Sequence, residues 1–283
     1  MADAADPVLA EPFSGVRRLR APNPGPMTGR GTNSYLVGRD DLVLIDPGPE
    51  IPEHLDRLVE LAGGNLRYVV VTHTHRDHSP GAAEVARRCG ATLLGFGARD
   101  GFEPAGPLRD GDRVQVAGYR LDVLHTPGHA SNHLCYLLDS PEVPVRVLFS
   151  GDHVMGGSTV VISPPDGDMA AYLASLERLL SIRPAIGAIA PGHGGVLEDP
   201  EGVLRGCLAH RRDREARVMT LLADGPSTPA ALVATIYRDL DPALTEAAGR
   251  QLWAHLRKLA ADGLVSSPDV DDLASTWRLS SAR

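Results

Sequence analysis

The stretch THTHRDHSPG, residues 72–81, follows the apolar run YVVV at 68–71 and sets three histidines and an aspartate within the six positions His73 to His78. An unbroken apolar run rich in β-branched residues reads as a strand buried on both faces, so the polar cluster falls at its carboxyl end. His73 and His75 share a face if the strand runs on through Thr74, and otherwise lie on the loop that leaves it. Asp77 and His78 fall on the next turn, which lets the chain wrap an imidazole and a carboxylate around one point. A lone histidine on a loop is ordinarily solvated. H-x-H-x-D-H beside a buried strand instead has the density and the donor mixture of a metal site. Its spacing matches neither a zinc finger nor the helical H-E-x-x-H of zinc proteases.

Three further islands have the same form, an apolar strand ending in glycine and a ligand-type side chain: TPGHASNH (126–133) with His129, VLFSGDH (147–153) with Asp152, and AIAPGHG (188–194) with His193. Loops at the ends of neighbouring strands are where a layered sheet brings distant residues together, so all four islands are expected to meet at one edge.

The rest of the pattern supplies that sheet. Strands are expected at 16–20, 33–38, 42–46, 68–72, 91–95, 113–117, 119–125, 133–138, 145–149 and 187–190, with helices at 52–62, from the Ser79-Pro80 pair to about Arg88, and at 168–182. Pro52 suits a first helical turn. After residue 200 three helices are expected, followed by two short strand candidates, LVSS and STWRLS, which together resemble a winged helix. The expected domains are therefore 1–200 and 201–283.

In this order the four islands resemble the metallo-β-lactamase superfamily, over about residues 15–200. The resemblance implies an α+β fold, a four-layered αβ/βα sandwich, here with a small C-terminal winged-helix domain. It also implies a site for two Zn²⁺ ions: His73, His75 and His129 hold one, Asp77, His78 and His193 hold the other, and Asp152 bridges them. The mixed histidine and carboxylate set also accepts iron or manganese. Two such ions about 3.5–4 Å apart share a water whose pKa falls from about 15.7 to about 7, giving a bridging hydroxide that attacks the substrate. Asp77 is the implied catalytic residue, orienting that nucleophile and carrying its proton to the leaving group. Asp46, closing LVLID, matches an aspartate that sits behind the ligands and fixes an imidazole. His133 is read as supporting the ligands or touching substrate. His125 and His153 are read as core or rim residues, and His54, His210 and His255 as solvated. The three cysteines, Cys89, Cys135 and Cys207, are odd in number and widely spaced, and are read as small buried hydrophobes.

NPGPMTGRGTNSYLVG (23–38), SGDH, PGHG and the C-terminal segments HRRDREARVMTLL, TPAALVATIYRDL and HLRKLAADGLV resemble one branch in particular. That branch holds the lactamase-β-like endoribonuclease and glyoxalase II-like hydrolases with a winged-helix extension. Three functions are implied as expectations: hydrolysis of a small ester or thioester, cleavage of single-stranded RNA at the same metal site, and DNA binding through the winged helix with the front domain as a sensor. Charge separates them. The chain carries a net charge of -8, and from Cys207 to Arg283 it has ten Lys/Arg against ten Asp/Glu, whereas a DNA-reading domain is normally basic. In RQLWAHLRKLAADG, Leu252, Leu256 and Leu259 form an apolar stripe expected to pack the helix against its neighbours. Against RNA stands the absence from the sequence of a basic, aromatic-interleaved stretch. A small acyl substrate is therefore the favoured partner. With no apolar leader and no run of about 18 apolar residues, a cytoplasmic location without a membrane partner is expected, which also disfavours β-lactam defence.

Overall fold

Alternation along the strands sorts the apolar side chains into two layers. The computed structural model of the chain describes residues 8–156 and 159–281. Its contacts divide into two compact units, one made of the described residues of Met1–Thr126, Asn132–Ser158 and Ser181–Glu201, the other of Pro127–Ser131, Thr159–Leu180 and Gly202–Arg283.

In the first unit, β1 (Leu9–Phe13), β2 (Val16–Arg20), β3 (Asn33–Gly38) and β4 (Leu42–Ile45) pair antiparallel in sequence order. Helix α1 (Pro52–Ala62) then crosses to β5 (Leu66–Val70), which lies parallel to β4, and α2 (Ala82–Cys89) crosses to β6 (Thr92–Gly95); β7 (Gly106–Pro107) closes a seven-stranded mixed sheet. The second sheet runs β8 (Arg113–Val116), β9 (Tyr119–His125), β10 (Leu134–Asp139) and β11 (Val147–Gly151), with β12 (Ala188–Pro191) parallel to β11 at the edge. Tyr35, Val37, Val43, Ile45 and Val70 of the first sheet meet Leu121, Val123, Leu134, Tyr136 and Phe149 of the second in one apolar core. The alternate residues Leu36, Leu42, Leu44 and Val69 face away and are covered by Leu55 and Leu58 of α1 and Val85 of α2. Period-two alternation in strands buried on both sides thus builds a sandwich of two mixed sheets with helices on the outside.

The parallel pairs bring the ligand-type side chains to one end of the strands. Strands β4 and β5, and likewise β11 and β12, run in the same direction, so within each pair the segments leaving their carboxyl ends emerge together. Asp46 follows β4, the 72–78 cluster follows β5, Asp152 follows β11 and His193 follows β12.

Two expectations about these segments need correction. Strand β5 stops at Val70 rather than at Thr72, so of the two placements open for His73 and His75 the loop is the one found. Helix α2 begins at Ala82 rather than at Ser79-Pro80, because the His75 carbonyl takes the N–H groups of both His78 and Ser79 in a tight turn. Strands β1 and β7 were not anticipated: LAEPF lacks clean alternation and carries a proline, and β7 is two residues long.

In the second unit, α3 (Met169–Ser181, its last residue in the first unit) is followed by α4 (Pro200–Ala223, entering from the first), α5 (Pro229–Ile236) and α6 (Thr245–Ala261). A short hairpin of β13 (Val265–Ser266) with β14 (Arg278–Leu279) ends the fold. Thr228 caps α5 by accepting the Ala231 N–H, and Pro229 occupies its first turn. The stripe of Leu252, Leu256 and Leu259 is buried against Val218, Leu222, Leu232 and Trp277, the arrangement of three helices and a hairpin expected of a winged helix. Among the described residues no helix is long and apolar enough to cross a membrane. Of the three cysteines Cys135 is buried, Cys89 and Cys207 are half-buried, and none is in a disulfide.

Candidate metal centre

Four donors from three segments of the first unit converge. The Asp77 and Asp152 carboxylates and the His78 and His193 imidazoles each place a ligand atom within 4.8 Å of the others. His78 Nε2 lies 3.3 Å from both Asp77 Oδ2 and Asp152 Oδ1, and His193 Nε2 lies 3.1 and 3.2 Å from the same two oxygens. His73 and His75 belong to the same unit, and His129 belongs to the second.

Each ring is turned by a contact on its far nitrogen. Asp46, buried and held at φ +51°, accepts the Thr72 N–H at 2.7 Å on one oxygen. Its second oxygen accepts the Thr72 hydroxyl at 2.7 Å and His78 Nδ1–H at 2.9 Å. Having given its proton to Asp46, the Thr72 hydroxyl accepts His73 Nδ1–H at 3.0 Å. One carboxylate therefore sets the tautomer of two imidazoles, leaving the Nε2 lone pairs of His73 and His78 for a cation. His193 Nδ1 faces the Gly31 carbonyl at 3.3 Å, and His129 Nδ1 gives its proton to the Val161 carbonyl at 2.8 Å, with the same consequence for their Nε2 atoms.

These residues fit a divalent cation. His73 Nε2 lies 2.9 Å from His75 Nδ1, close enough for the two nitrogens to share one proton or to face one cation together. His78 Nε2 is buried and makes no hydrogen bond of ordinary geometry, although two carboxylates face it. The electrostatics agree. Burial alone would raise the Asp77 and Asp152 pKa values, but the neighbouring His78 charge and hydrogen bonds from His193 hold both well below the usual carboxylate range. Burial alone would lower His193, but its hydrogen bonds to Asp152 and Asp77 raise it to about 9; burial likewise opposes and the three carboxylates of Asp77, Asp152 and Asp46 overcome it in raising His78. One buried and one half-buried carboxylate side by side favour positive charge at this point.

The sequence reading missed part of the support. The Thr32 hydroxyl donates to Asp77 Oδ2 at 3.1 Å. Asn33 binds the Pro191 and Gly194 carbonyls at 3.0 and 2.9 Å, and its own N–H donates to the Gly192 carbonyl, holding the PGHG turn against the start of β3. Tyr35 donates to the Pro191 carbonyl as well. The TN pair in GTNSYLV was the available signal. His133 is buried and stacks on His73 with ring centroids 5.0 Å apart, its Nδ1 on the Thr126 hydroxyl at 3.0 Å. His153 is buried beside it, and His125 lies half-buried against Phe96.

His54 and His255 correct the expectation that they are solvated. His54 is buried with its Nε2 3.1 Å from the Ser34 hydroxyl and a hydrogen bond to the Pro47 carbonyl; burial pushes its pKa down to about 4. His255 is buried against Glu215, and His210 is half-buried. Helical periodicity marks the face a histidine occupies, but these positions are decided by what packs on that face.

Comparison with known proteins agrees with the geometry. A family model described as the Metallo-beta-lactamase superfamily matches residues 27–193, more than half the chain, and one described as a Beta-lactamase associated winged helix domain matches 228–277. An atrochrysone carboxyl ACP thioesterase of Cryptosporiopsis sp. is 31% identical over 89% of this chain and 81% of its own length. A Beta-lactamase-like protein 2 homolog of Drosophila melanogaster is 29% identical over 91% of each chain. Among solved structures, a beta-lactamase domain protein from Burkholderia ambifaria superposes with a TM-score of 0.82 at 24% identity, covering 99% of this chain and 96% of its own.

Proposed function

Because the chain belongs to the metallo-beta-lactamase superfamily of hydrolases, we propose that it holds two zinc ions and cleaves a small ester or thioester. In this reading His73, His75 and His129 hold one ion, Asp77, His78 and His193 the other, and Asp152 both. When bound, such ions lower the pKa of water and polarise an acyl carbonyl. The remaining steps belong to the side chains. Asp77, ionised and with one oxygen engaged by Thr32, orients the attacking water through its carboxylate and accepts the proton that water loses. As the acyl carbon–sulfur bond breaks, that proton passes to the departing thiolate. Asp46, through Thr72 and directly, keeps His73 and His78 in the tautomer that binds a cation. His133 packs flat on His73 and limits its rotation.

The observation that carries the choice of substrate is the 31% identity, over most of both chains, to a protein named as a thioesterase. The net charge of -8 supports it against a polyanionic substrate. Zinc-loaded enzyme challenged in parallel with acyl thioesters and a labelled single-stranded RNA tests the reading, with Asp152→Ala as the blank. Turnover of thioesters alone, lost with at least one zinc in Asp152→Ala, is expected. RNA cleavage with no thioester turnover would overturn the substrate, and protein purified without chelators that carries no metal would overturn the site.

A further inference from the structure

Three consecutive residues of the second unit, Val160, Val161 and Ile162, each have a backbone group engaged by a side chain from a different element. The Val160 carbonyl accepts a guanidinium N–H of Arg211, on α4, at 2.6 Å. The Ile162 N–H donates to Gln251 Oε1, on α6, at 2.8 Å. Between them, the Val161 carbonyl accepts His129 Nδ1–H at 2.8 Å. Arg211 and Gln251 are 2% and 6% exposed, so neither bond is shared with bulk water, and the flanking Val160 and Ile162 side chains are buried too. Arg211 is fixed further by lying over the Tyr172 ring, 5.2 Å from its centroid.

Gln251 shows what its position serves. Its Oε1 is used on Ile162, while its buried Nε2 has no partner. A polar side chain buried with half its hydrogen-bonding capacity unmet costs stability, and the bond it does make is the one that pins the 160–162 segment. Leucine at this position would fill the space without that cost.

We infer that α4 and α6, through Arg211 and Gln251, are positioning elements for His129: they clamp the segment whose central carbonyl fixes the tautomer and the direction of that imidazole. The inference rests on the reading of His129 as a metal ligand. It gives the winged-helix extension a task inside the hydrolase, since α6 belongs to the winged-helix match at 228–277. Neither Arg211 nor Gln251 is among the side chains grouped as able to hold an ion. They act through Val160 and Ile162 on Val161, and through Val161 on His129.

The test measures zinc stoichiometry and affinity by chelator competition, together with the visible spectrum of cobalt-substituted protein, in Gln251→Leu, Gln251→Glu, Arg211→Lys and His129→Ala. Gln251→Leu and Arg211→Lys are expected to hold one of the two ions about tenfold more weakly and to alter the cobalt spectrum. Gln251→Glu, which keeps an oxygen for the Ile162 N–H, restores the affinity. Val233→Ala, which opens a cavity in the apolar core of the same unit, controls for instability: it lowers the melting temperature and leaves metal affinity unchanged. Wild-type affinity for both ions in Gln251→Leu and Arg211→Lys, with one ion lost from His129→Ala, overturns the clamp while sparing the ligand assignment. Retention of both ions by His129→Ala overturns the assignment itself.

Discussion

Replacing Asp46 by asparagine changes the chemistry of one atom at the point where two imidazoles are oriented. The substitution keeps the side-chain shape and suits the backbone, since asparagine tolerates the left-handed conformation that Asp46 adopts at φ +51°. Asp46 accepts three hydrogen bonds, from the Thr72 N–H, the Thr72 hydroxyl and His78 Nδ1–H. An amide offers one acceptor oxygen and one N–H₂ donor, so some donor must now face a donor. If the amide nitrogen faces the Thr72 N–H, the conflict is permanent, because a backbone N–H cannot reverse its role. If it faces His78 and the Thr72 hydroxyl, both can reverse: the hydroxyl rotates, and His78 moves its proton from Nδ1 to Nε2. The second arrangement is the cheaper one, and it takes the lone pair from His78 Nε2. The rotated Thr72 hydroxyl then presses the same change on His73 through their 3.0 Å contact. Losing supporting contacts behind a ligand costs about 10–100-fold in metal affinity, and losing a charged acceptor costs about 1.5–3 kcal/mol of stability. For a chain of this size that is a fall of roughly 5 °C in melting temperature. Chelator competition and a thermal melt of the zinc-free protein measure the two effects separately. An Asp46→Asn protein that binds zinc as tightly as the wild type would refute the tautomer argument.

His54 makes stability depend on pH in a defined window. The unfolded chain takes up a proton near pH 6.5 and the folded chain only near pH 4, so stability is complete above 6.5 and falls as pH drops towards 4. Between pH 7 and 5 this contributes about 2 kcal/mol, and His54→Gln should lose correspondingly less than the wild type over that interval in denaturant titrations; equal losses in the two proteins would contradict it. Gly192→Ala probes space around the ligands: a Cβ there would stand 2.7 Å from His78 Cε1 and 2.8 Å from Asp152 Oδ1. The expected outcome is protein lacking at least one ion, measured by metal analysis, and a fully loaded variant would show that the turn can yield.

Much of this arrangement is legible along the chain because its causes are local. The apolar runs YLV and LVLI read as strands from consecutive residues, and their alternate side chains put Tyr35, Val37, Val43 and Ile45 on one side and Leu36, Leu42 and Leu44 on the other; the sandwich itself was implied by the resemblance of the islands. The donor clusters were visible for the same reason, since each island carries its ligand next to a strand end. Strand β1 and the true start of α2 were not visible, because pairing to Val16–Arg20 and the bonds to the His75 carbonyl depend on partners that the local pattern does not contain.

The glycines of the islands show where local and distant causes meet. As a sequence pattern, the glycine before His129, Asp152 and His193 reads as a turn. In the structure the requirement is also one of room: a Cβ on Gly151 would lie 2.5 Å from the Thr72 hydroxyl and 2.9 Å from His133 Nε2, and one on Gly192 would enter the space between His78 and Asp152. Gly151 needs a positive φ of 47° besides, whereas Gly192 has no such conformational demand. The backbone of each strand end thus packs directly against side chains from another segment, a closeness that donors within 4.8 Å of one another require. The groups facing each histidine distinguish a candidate ligand from a bystander. His78 and His54 are both buried, but His78 Nε2 faces two carboxylates whereas His54 Nε2 faces a neutral hydroxyl. Burial therefore does not mark a candidate ligand, and the charge of the facing groups does: carboxylates face His78 Nε2 and favour positive charge there, whereas burial beside a neutral hydroxyl disfavours it at His54.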